Sequence, residues 1–200
     1  SSSVPGSGFN AMSGTSMAAP HVAGAWAVLK SRVPTATVDH VLAVLKATGK
    51  SVLDTRKGVN IAKARIQLDK AIDAMLPVFA LDAPTDGMVV SGLVRIGGWA
   101  AHVATMAGTG VDAVHFYLDG PAGSGQFLGA ATYGGSRPDV ANYLDDQRFL
   151  LSGFGLDWNT SSLGGGKHTI YGYVHSTVAG VGWLSFTRSV TVASTPTKAV

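Results

Sequence analysis

The residues best suited to chemistry lie in one short run near the start of the sequence, Ser13-Gly14-Thr15-Ser16-Met17-Ala18-Ala19-Pro20-His21-Val22-Ala23-Gly24. The small apolar residues after Ser16 favour a helix, and Pro20 is tolerated in its first turn because N–H groups there lack partners. Ser16 would then lie at a helix N-terminus, where free N–H groups and the positive end of the dipole stabilise an oxyanion. By residue type and position alone, Ser16 is either a nucleophile or a structural helix cap.

This run is similar to the serine signature of the subtilisin-like serine proteases (subtilases, peptidase family S8). The resemblance extends to about Leu76, where Gly58-Val59-Asn60-Ile61 resembles the turn before the closing helix of the family. It implies that Ser16 is the catalytic nucleophile, and that its oxyanion and substrate surroundings are formed by Gly14, Thr15 and Met17. His21 matches a signature position and is not the general base, because five helical residues turn a side chain by about 140°.

The resemblance also shows what these 200 residues lack. In the family, the aspartate, the general-base histidine and the oxyanion asparagine come from upstream segments. A serine hydroxyl without an adjacent base is a poor nucleophile, so we expect the chain alone to be inactive or very weak as a protease. The spacing of the other histidines supports no rebuilt Ser–His–Asp site. Each is expected at a surface or hydrogen-bonded strand position: His40, His102, His115, His168 and His175.

Helical periodicity dominates the sequence before Pro77. It predicts one helix over residues 18–30, a second between Thr35 as N-cap and Gly49 as C-terminal stop, and a third over 61–76. These three helices are interpreted as the C-terminal piece of a subtilisin-like α/β domain, spanning residues 1–76.

After Pro77 the pattern changes to short alternating runs separated by Gly, Pro, Asp and Asn. The runs predict strands over residues 89–99, 111–118, 127–133, 149–158, 167–175 and 183–192. That number of strands in so short a segment is typical of an antiparallel immunoglobulin-like β-sandwich, here over 77–194, with a tail over 195–200. The chain as a whole is therefore predicted to be α+β.

The second segment resembles a bacterial immunoglobulin-like module, on Gly97-Gly98-Trp99-Ala100, on residues 114–120 and on Arg137-Pro138-Asp139-Val140. Arg137 is expected to pair with a nearby carboxylate in a loop that Pro138 stiffens. Aromatic rings invite a carbohydrate-binding interpretation, but Trp99, Trp158 and Trp183 fall within strand runs, where core or half-buried packing is expected.

Composition narrows the classes of function. There is no cysteine, which excludes disulfides and thiolate metal sites. The net charge is +3 and no block of like charges occurs, so no nucleic-acid partner is indicated. The sequence contains no run of about twenty apolar residues, which a membrane-spanning helix would need. Eight aspartates fall mostly in predicted loops, as calcium ligands do, but no Asp-x-Asp-x-Asp-Gly run occurs. We expect no metal and no cofactor, with calcium left as an unsupported alternative.

The sequence therefore predicts a C-terminal fragment, natural or excised, of a secreted bacterial subtilisin-like serine endopeptidase, with polypeptide substrates in the parent enzyme. Two alternatives stay open, a non-catalytic immunoglobulin-like binding or spacer module and a weak hydrolase of activated esters. The family resemblance implies an extracellular location, in solution or at the cell surface. A partner chain or self-association is expected to cover the apolar helical segment.

Overall fold

The computed structural model describes residues 3–4, 8–9, 14–55, 58–105 and 107–194. The chain divides into two compact units, Ser1–Met75 and Leu76–Val200, beside the proline where the sequence pattern changes. Ser13 and the predicted tail over 195–200 lie outside the described residues.

The described residues of the first unit form three helices and two small antiparallel strand pairs. In chain order these are β1 (Ser3–Val4), β2 (Gly8–Phe9), α1 (Thr15–Arg32), α2 (Val38–Ala47), β3 (Lys50–Asp54), β4 (Ile61–Arg65) and α3 (Leu68–Asp73). Strand β1 pairs with β2, and β3 pairs with β4. No helix among the described residues is long and apolar enough to cross a membrane.

Helices α1 and α2 confirm the first two predicted helices, with two differences. Helix α1 begins at Thr15, so Pro20 lies beyond its first turn rather than within it. The N-cap of α2 is Thr37 rather than Thr35, because the Thr37 hydroxyl accepts a hydrogen bond from the His40 N–H at 3.1 Å. Gly49 follows the end of α2 as expected. A Cβ atom there would lie 2.7 Å from the Ala64 side chain and 2.9 Å from the Leu45 carbonyl oxygen, so close packing requires the glycine.

The predicted third helix over 61–76 is wrong in its first half. Residues Ile61–Arg65 form strand β4, which pairs antiparallel with β3 from Lys50↔Arg65 to Asp54↔Ile61. Only Leu68–Asp73 is helical, as the six residues of α3. Pairing with β3 satisfies the backbone of β4 through a partner strand, which outweighs a local helical preference worth only tenths of a kcal/mol per residue.

The second unit is dominated by strands. They are β5 (Val78–Ala83), β6 (Met88–Val90), β7 (Leu93–Ala101), β8 (Val111–Leu118), β9 (Gln126–Ala130), β10 (Thr132–Gly135), β11 (Gly153–Asn159), β12 (Gly166–Ser176) and β13 (Gly182–Val192). Between β10 and β11 lie the short helix α4 (Pro138–Tyr143) and a 3₁₀ helix over Gln147–Leu151.

Two sheets of this unit share one apolar core. The four-stranded sheet has the order β10-β11-β7-β5, and the five-stranded sheet has the order β6-β13-β12-β8-β9. Buried residues from both sheets form a single cluster in which Phe116 of β8 contacts Phe154 of β11, with ring centroids 6.0 Å apart. Inward residues alternate with outward ones along β8, β12 and β13, as a sheet with one buried face requires.

The strand predictions hold best where alternation is regular. The prediction over 111–118 is confirmed by β8, and those over 167–175 and 183–192 by β12 and β13. The run over 89–99 divides into β6 and β7, and the run over 127–133 into β9 and β10, with the members of each pair in different sheets. One pairing departs from the antiparallel prediction, since β6 pairs parallel with β13.

Candidate functional site

Ser16 lies in the first turn of α1, two residues after a glycine that the backbone requires. Gly14 is the N-cap residue at φ 140° and ψ 167°, a conformation that L side chains rarely adopt. Its carbonyl oxygen accepts the N–H groups of Met17 at 3.1 Å and Ala18 at 3.2 Å. The N–H groups of Thr15 and Ser16 precede these and have no acceptor within the helix. They are the donors that a negatively charged oxygen at this helix end would meet.

The site is open to water. Gly14, Thr15 and Ser16 are exposed and Met17 is half-buried. Hydrogen bonds to a developing charge are worth much more in a site that excludes water than in an exposed one. Exposure makes Ser16 accessible to a substrate, while the described residues around it provide little of the dry environment that catalysis uses.

No base activates Ser16 among the described residues. Its hydroxyl makes no hydrogen bond with any of them, and a base must lie within about 3 Å to take its proton. The nearest histidine in sequence is His21, whose Nδ1 atom forms a hydrogen bond with the Met17 carbonyl oxygen at 2.8 Å. The Nδ1 atom of His21 is therefore occupied by a backbone carbonyl one helical turn earlier in α1.

The remaining histidines hold other positions. His40 is buried in α2, where burial lowers its pKa, and this location differs from the surface or strand position expected for it. In the second unit, His168 Nδ1 contacts an Asp119 carboxylate oxygen at 2.6 Å, and His175 Nδ1 contacts Asp112 at 2.6 Å. The hydrogen bond that the Asp119 carboxylate accepts from His168 raises the pKa of His168. These strand positions are of the kind the sequence predicts.

A serine–histidine pair that the sequence did not indicate lies inside the second unit. His102 Nδ1 and Ser176 Oγ are 2.7 Å apart, and the Ser176 hydroxyl also accepts the Val178 N–H at 3.1 Å. His102 is 0% exposed and Ser176 3% exposed, so no substrate reaches the hydroxyl. The pair is a buried polar contact between segments 74 residues apart in sequence.

Arg137 forms the carboxylate pair that the sequence predicts. Its guanidinium donates to Asp82 at 2.6 Å and to both carboxylate oxygens of Asp139, at 2.7 and 2.9 Å. The hydrogen bond from Arg137 lowers the pKa of Asp139 to about 2. Pro138 begins the short helix α4 rather than stiffening a loop, since proline is well tolerated at the first helical position.

Most of the aspartates expected in loops form pairs with arginine or histidine side chains. Arg95 pairs with Asp157 at 2.8 Å and Arg148 with Asp146 at 2.6 Å, in addition to the Arg137 and histidine pairs. The described residues contain no group of three or more His, Asp or Glu side chains placed to hold a metal ion.

Comparisons with known proteins relate the first unit to one family. Residues 1–68 match the sequence model of the subtilase family, peptidase S8, which supports a subtilase-like relationship for this part of the chain. No curated protein matches the chain in sequence.

Three solved structures show weak similarity to the chain. The endo-β-1,4-mannanase from Thermotoga petrophila is 10% identical over 74% of this chain and 30% of its own, with a TM-score of 0.38. CopC from Methylosinus trichosporium OB3b is 13% identical over 62% of this chain and 99% of its own, with a TM-score of 0.35. Tripeptidyl peptidase 2 is 16% identical over 90% of this chain, with a TM-score of 0.28, and the chain spans only 16% of its length. These scores are too low to establish a common fold.

Proposed function

We propose that residues 1–76 are the serine-bearing C-terminal part of a subtilisin-like serine endopeptidase, with Ser16 as its nucleophile. The observation that carries the proposal is the match of residues 1–68 to the subtilase family, which contains Ser16 exposed in the first turn of α1. Gly14, Thr15 and Met17 surround this serine and form its oxyanion and substrate surroundings.

The reaction is acyl transfer to serine. The Ser16 oxygen attacks the carbonyl carbon of the scissile peptide bond, and its proton passes through an imidazole to the departing amine. Water then hydrolyses the acyl-enzyme and restores the hydroxyl. The N–H groups at the start of α1 donate to the oxyanion, whereas the aspartate, the histidine and the oxyanion asparagine come from residues outside this chain. Polypeptides are the substrates, and no metal or cofactor takes part.

The surface of α1 supports the need for further residues. Ala18, Ala19, Ala23 and Gly24 on the N-terminal half of the helix are all exposed. Small side chains of this kind let a helix pack closely against a neighbouring layer. A covering layer that carries the missing catalytic residues would exclude water from the site and strengthen the hydrogen bonds to the oxyanion. Self-association or a partner chain is the other way to cover this surface.

The second unit is proposed to be an immunoglobulin-like accessory domain of a secreted bacterial enzyme. If β5, β7, β11 and β10 are labelled A, B, E and D, the four-stranded sheet has the ABED order of that fold. Strands β8, β12 and β13 then correspond to C, F and G in the second sheet. Strand β6, paired parallel with β13, continues strand A at the edge of that sheet.

The test uses the protein expressed from the complete reading frame that encodes this chain. We expect it to hydrolyse casein, and we expect Ser16→Ala to lower kcat by about 10⁵–10⁶-fold, as loss of a serine nucleophile does. Ser31→Ala is the matched control, since Ser31 lies on the same helix, is exposed and only donates to the Val28 carbonyl oxygen at 2.7 Å. Full activity of Ser16→Ala would overturn the proposal.

A non-catalytic binding module is the second candidate, favoured by the lack of a base beside Ser16 among the described residues. It predicts no hydrolysis of casein or activated esters by the full-length protein. The remaining alternative, a weak hydrolase of activated esters, predicts turnover of 4-nitrophenyl acetate by the isolated chain that Ser16→Ala abolishes.

A further inference from the structure

The outward face of the five-stranded sheet carries a continuous group of aromatic rings. Along β8 and β12 the inward positions are buried, and the outward positions between them include His115, Tyr117, Tyr173 and His175. Antiparallel register places Tyr173 opposite His115, and His175 opposite Trp183 of β13. The rings therefore lie side by side across three neighbouring strands on the face away from the core.

Trp183 joins the two sides of this group. Its ring centroid lies 4.8 Å from that of His115 and 4.7 Å from that of His175. Because β12 lies between β8 and β13, the indole reaches across β12 to contact His115. Trp183 nevertheless stays 48% exposed, so the core or half-buried packing expected from its strand position is wrong.

A concave site lies beside the indole. The ring centroid of Tyr117 lies 5.6 Å from that of Tyr173 and 5.0 Å from that of Phe127. The Tyr173 hydroxyl accepts the Ala122 N–H at 3.0 Å, which fixes the following loop as a wall. The resulting cavity has a volume of about 370 Å³ and is lined by His115, Tyr117, Ala122, Tyr173 and Trp183.

The fold of the second unit does not need the exposed aromatic rings at this site. The apolar core of the second unit lies on the other side of the sheet and is complete without these rings. Trp183 and Phe127 are 48% and 53% exposed. Large rings held together at a soluble surface mark sites of interaction, because their exposure to water is unfavourable unless a ligand covers them.

The chemistry of the lining selects a neutral ligand with a flat apolar face and hydrogen-bonding edges. None of the five described lining residues is Lys, Arg, Asp or Glu, and His175 beside the site is already paired with Asp112. Tyrosine hydroxyls and the indole N–H offer polar edges around the flat rings. Pyranose sugars match both features, with C–H groups on one face and hydroxyls at the rim. A proline-rich peptide offers mainly carbonyl acceptors and would use fewer of these groups.

We propose that the outward face of β8, β12 and β13 binds a neutral oligosaccharide, with Trp183 as the stacking platform. Three strands span about 10 Å, which accommodates about two pyranose rings. Tyr117 and Tyr173 flank the bound sugar and hydrogen-bond to its hydroxyls. The site belongs to the second unit and does not depend on the proposed role of Ser16.

The test is titration of the full chain with cellohexaose, mannohexaose, xylohexaose and maltohexaose, followed by tryptophan fluorescence and calorimetry. We expect saturable binding of at least one of them with a Kd of about 1 mM or tighter. Trp183→Ala is expected to weaken binding by about tenfold or more, and Trp183→Phe, which keeps a flat ring, by much less. Tyr143→Ala is the matched control, because Tyr143 is a 77% exposed ring on α4, and it should leave the Kd unchanged.

Circular dichroism melting identifies any variant that fails to fold, and Tyr117→Ala serves as a second lining variant in that case. The proposal is overturned if none of the four sugars binds, or if Trp183→Ala and Tyr143→Ala alter the Kd equally. Saturable binding of a decaproline peptide without binding of any sugar would also overturn it, in favour of a peptide-binding face.

Discussion

Ser176→Ala tests whether the buried serine–histidine pair of the second unit is structural. The substitution removes the hydroxyl that contacts His102 Nδ1 at 2.7 Å and accepts the Val178 N–H at 3.1 Å. Both members of the pair are almost fully buried, so water does not take the place of the lost oxygen. The variant should therefore lose stability without changing any chemical activity.

The magnitude follows from the two lost contacts. Removing the partner of a buried polar group costs about 1–3 kcal/mol, and an ordinary hydrogen bond such as that to Val178 contributes about 1 kcal/mol. We expect a total loss of about 2–4 kcal/mol. In a unit of about 120 residues each kcal/mol lowers Tm by about 3–5 °C, so Tm should fall by roughly 6–20 °C.

Thermal unfolding of the full chain, followed by circular dichroism in the β-sheet region, measures this shift. Ser185→Ala is the matched control, because Ser185 is exposed on the opposite face of the same sheet and its loss should stay within about 0.5 kcal/mol. Equal Tm values for the two variants would refute the structural role. Covalent labelling of Ser176 by a fluorophosphonate would refute it as well, since labelling requires an accessible, activated hydroxyl.

Three further outcomes are expected. His168→Gln should destabilise the chain more at pH about 5.5 than at pH about 9. Asp119 raises the pKa of His168, so the stabilisation from this pair is lost as the pH rises through that raised pKa. Equal losses of unfolding free energy at both pH values, measured by urea unfolding, would contradict this. Gly172→Ala should lower the free energy of unfolding by about 1–3 kcal/mol, since its Cβ would meet a phenylalanine ring on β13, whereas Gly164→Ala, with open space around it, should not. Ser16 of the isolated chain should remain unlabelled by fluorophosphonate in intact-mass measurements, and stoichiometric labelling would reveal a recruited base.

The parts of the fold predicted from the sequence are those fixed by local pattern. In β8 the alternation of Val114, Phe116 and Leu118 with more polar residues defines both the strand and its buried face. The Ala- and Val-rich run after Ser16 likewise defines α1. Such patterns act within one element, so no knowledge of its neighbours is needed.

Prediction fails where a partner strand decides the structure. The local pattern over 61–76 is helical, yet β4 forms because β3 supplies a hydrogen-bonding partner for Ile61–Arg65. The run over 127–133 gives no local sign that its two halves enter different sheets. Contacts of high sequence separation, such as His102 with Ser176, are invisible to spacing arguments for the same reason.

One missed feature did carry a signal. In β13, Trp183 alternates in phase with Ser185, Thr187 and Ser189, whereas Leu184 and the residues in phase with it face the other side. Strict period-two alternation thus places the indole on the polar, outward face. Assignment of strand residues to faces, rather than to strands alone, would have predicted the exposed aromatic group.

The exposure of α1 parallels the lack of a base beside Ser16 among the described residues. A helix that is apolar on all sides is typical of a fully covered position, and α1 is rich in Ala and Val around its whole circumference. Only Ala25 and Leu29 of its eighteen residues are buried, while Val22 and Val28 are 43% and 40% exposed. The same covering layer that would bury these residues would also exclude water from Ser16. Among the described residues, α1 has neither the packing nor the base that an active serine needs, and the proposed function assigns both to one covering layer.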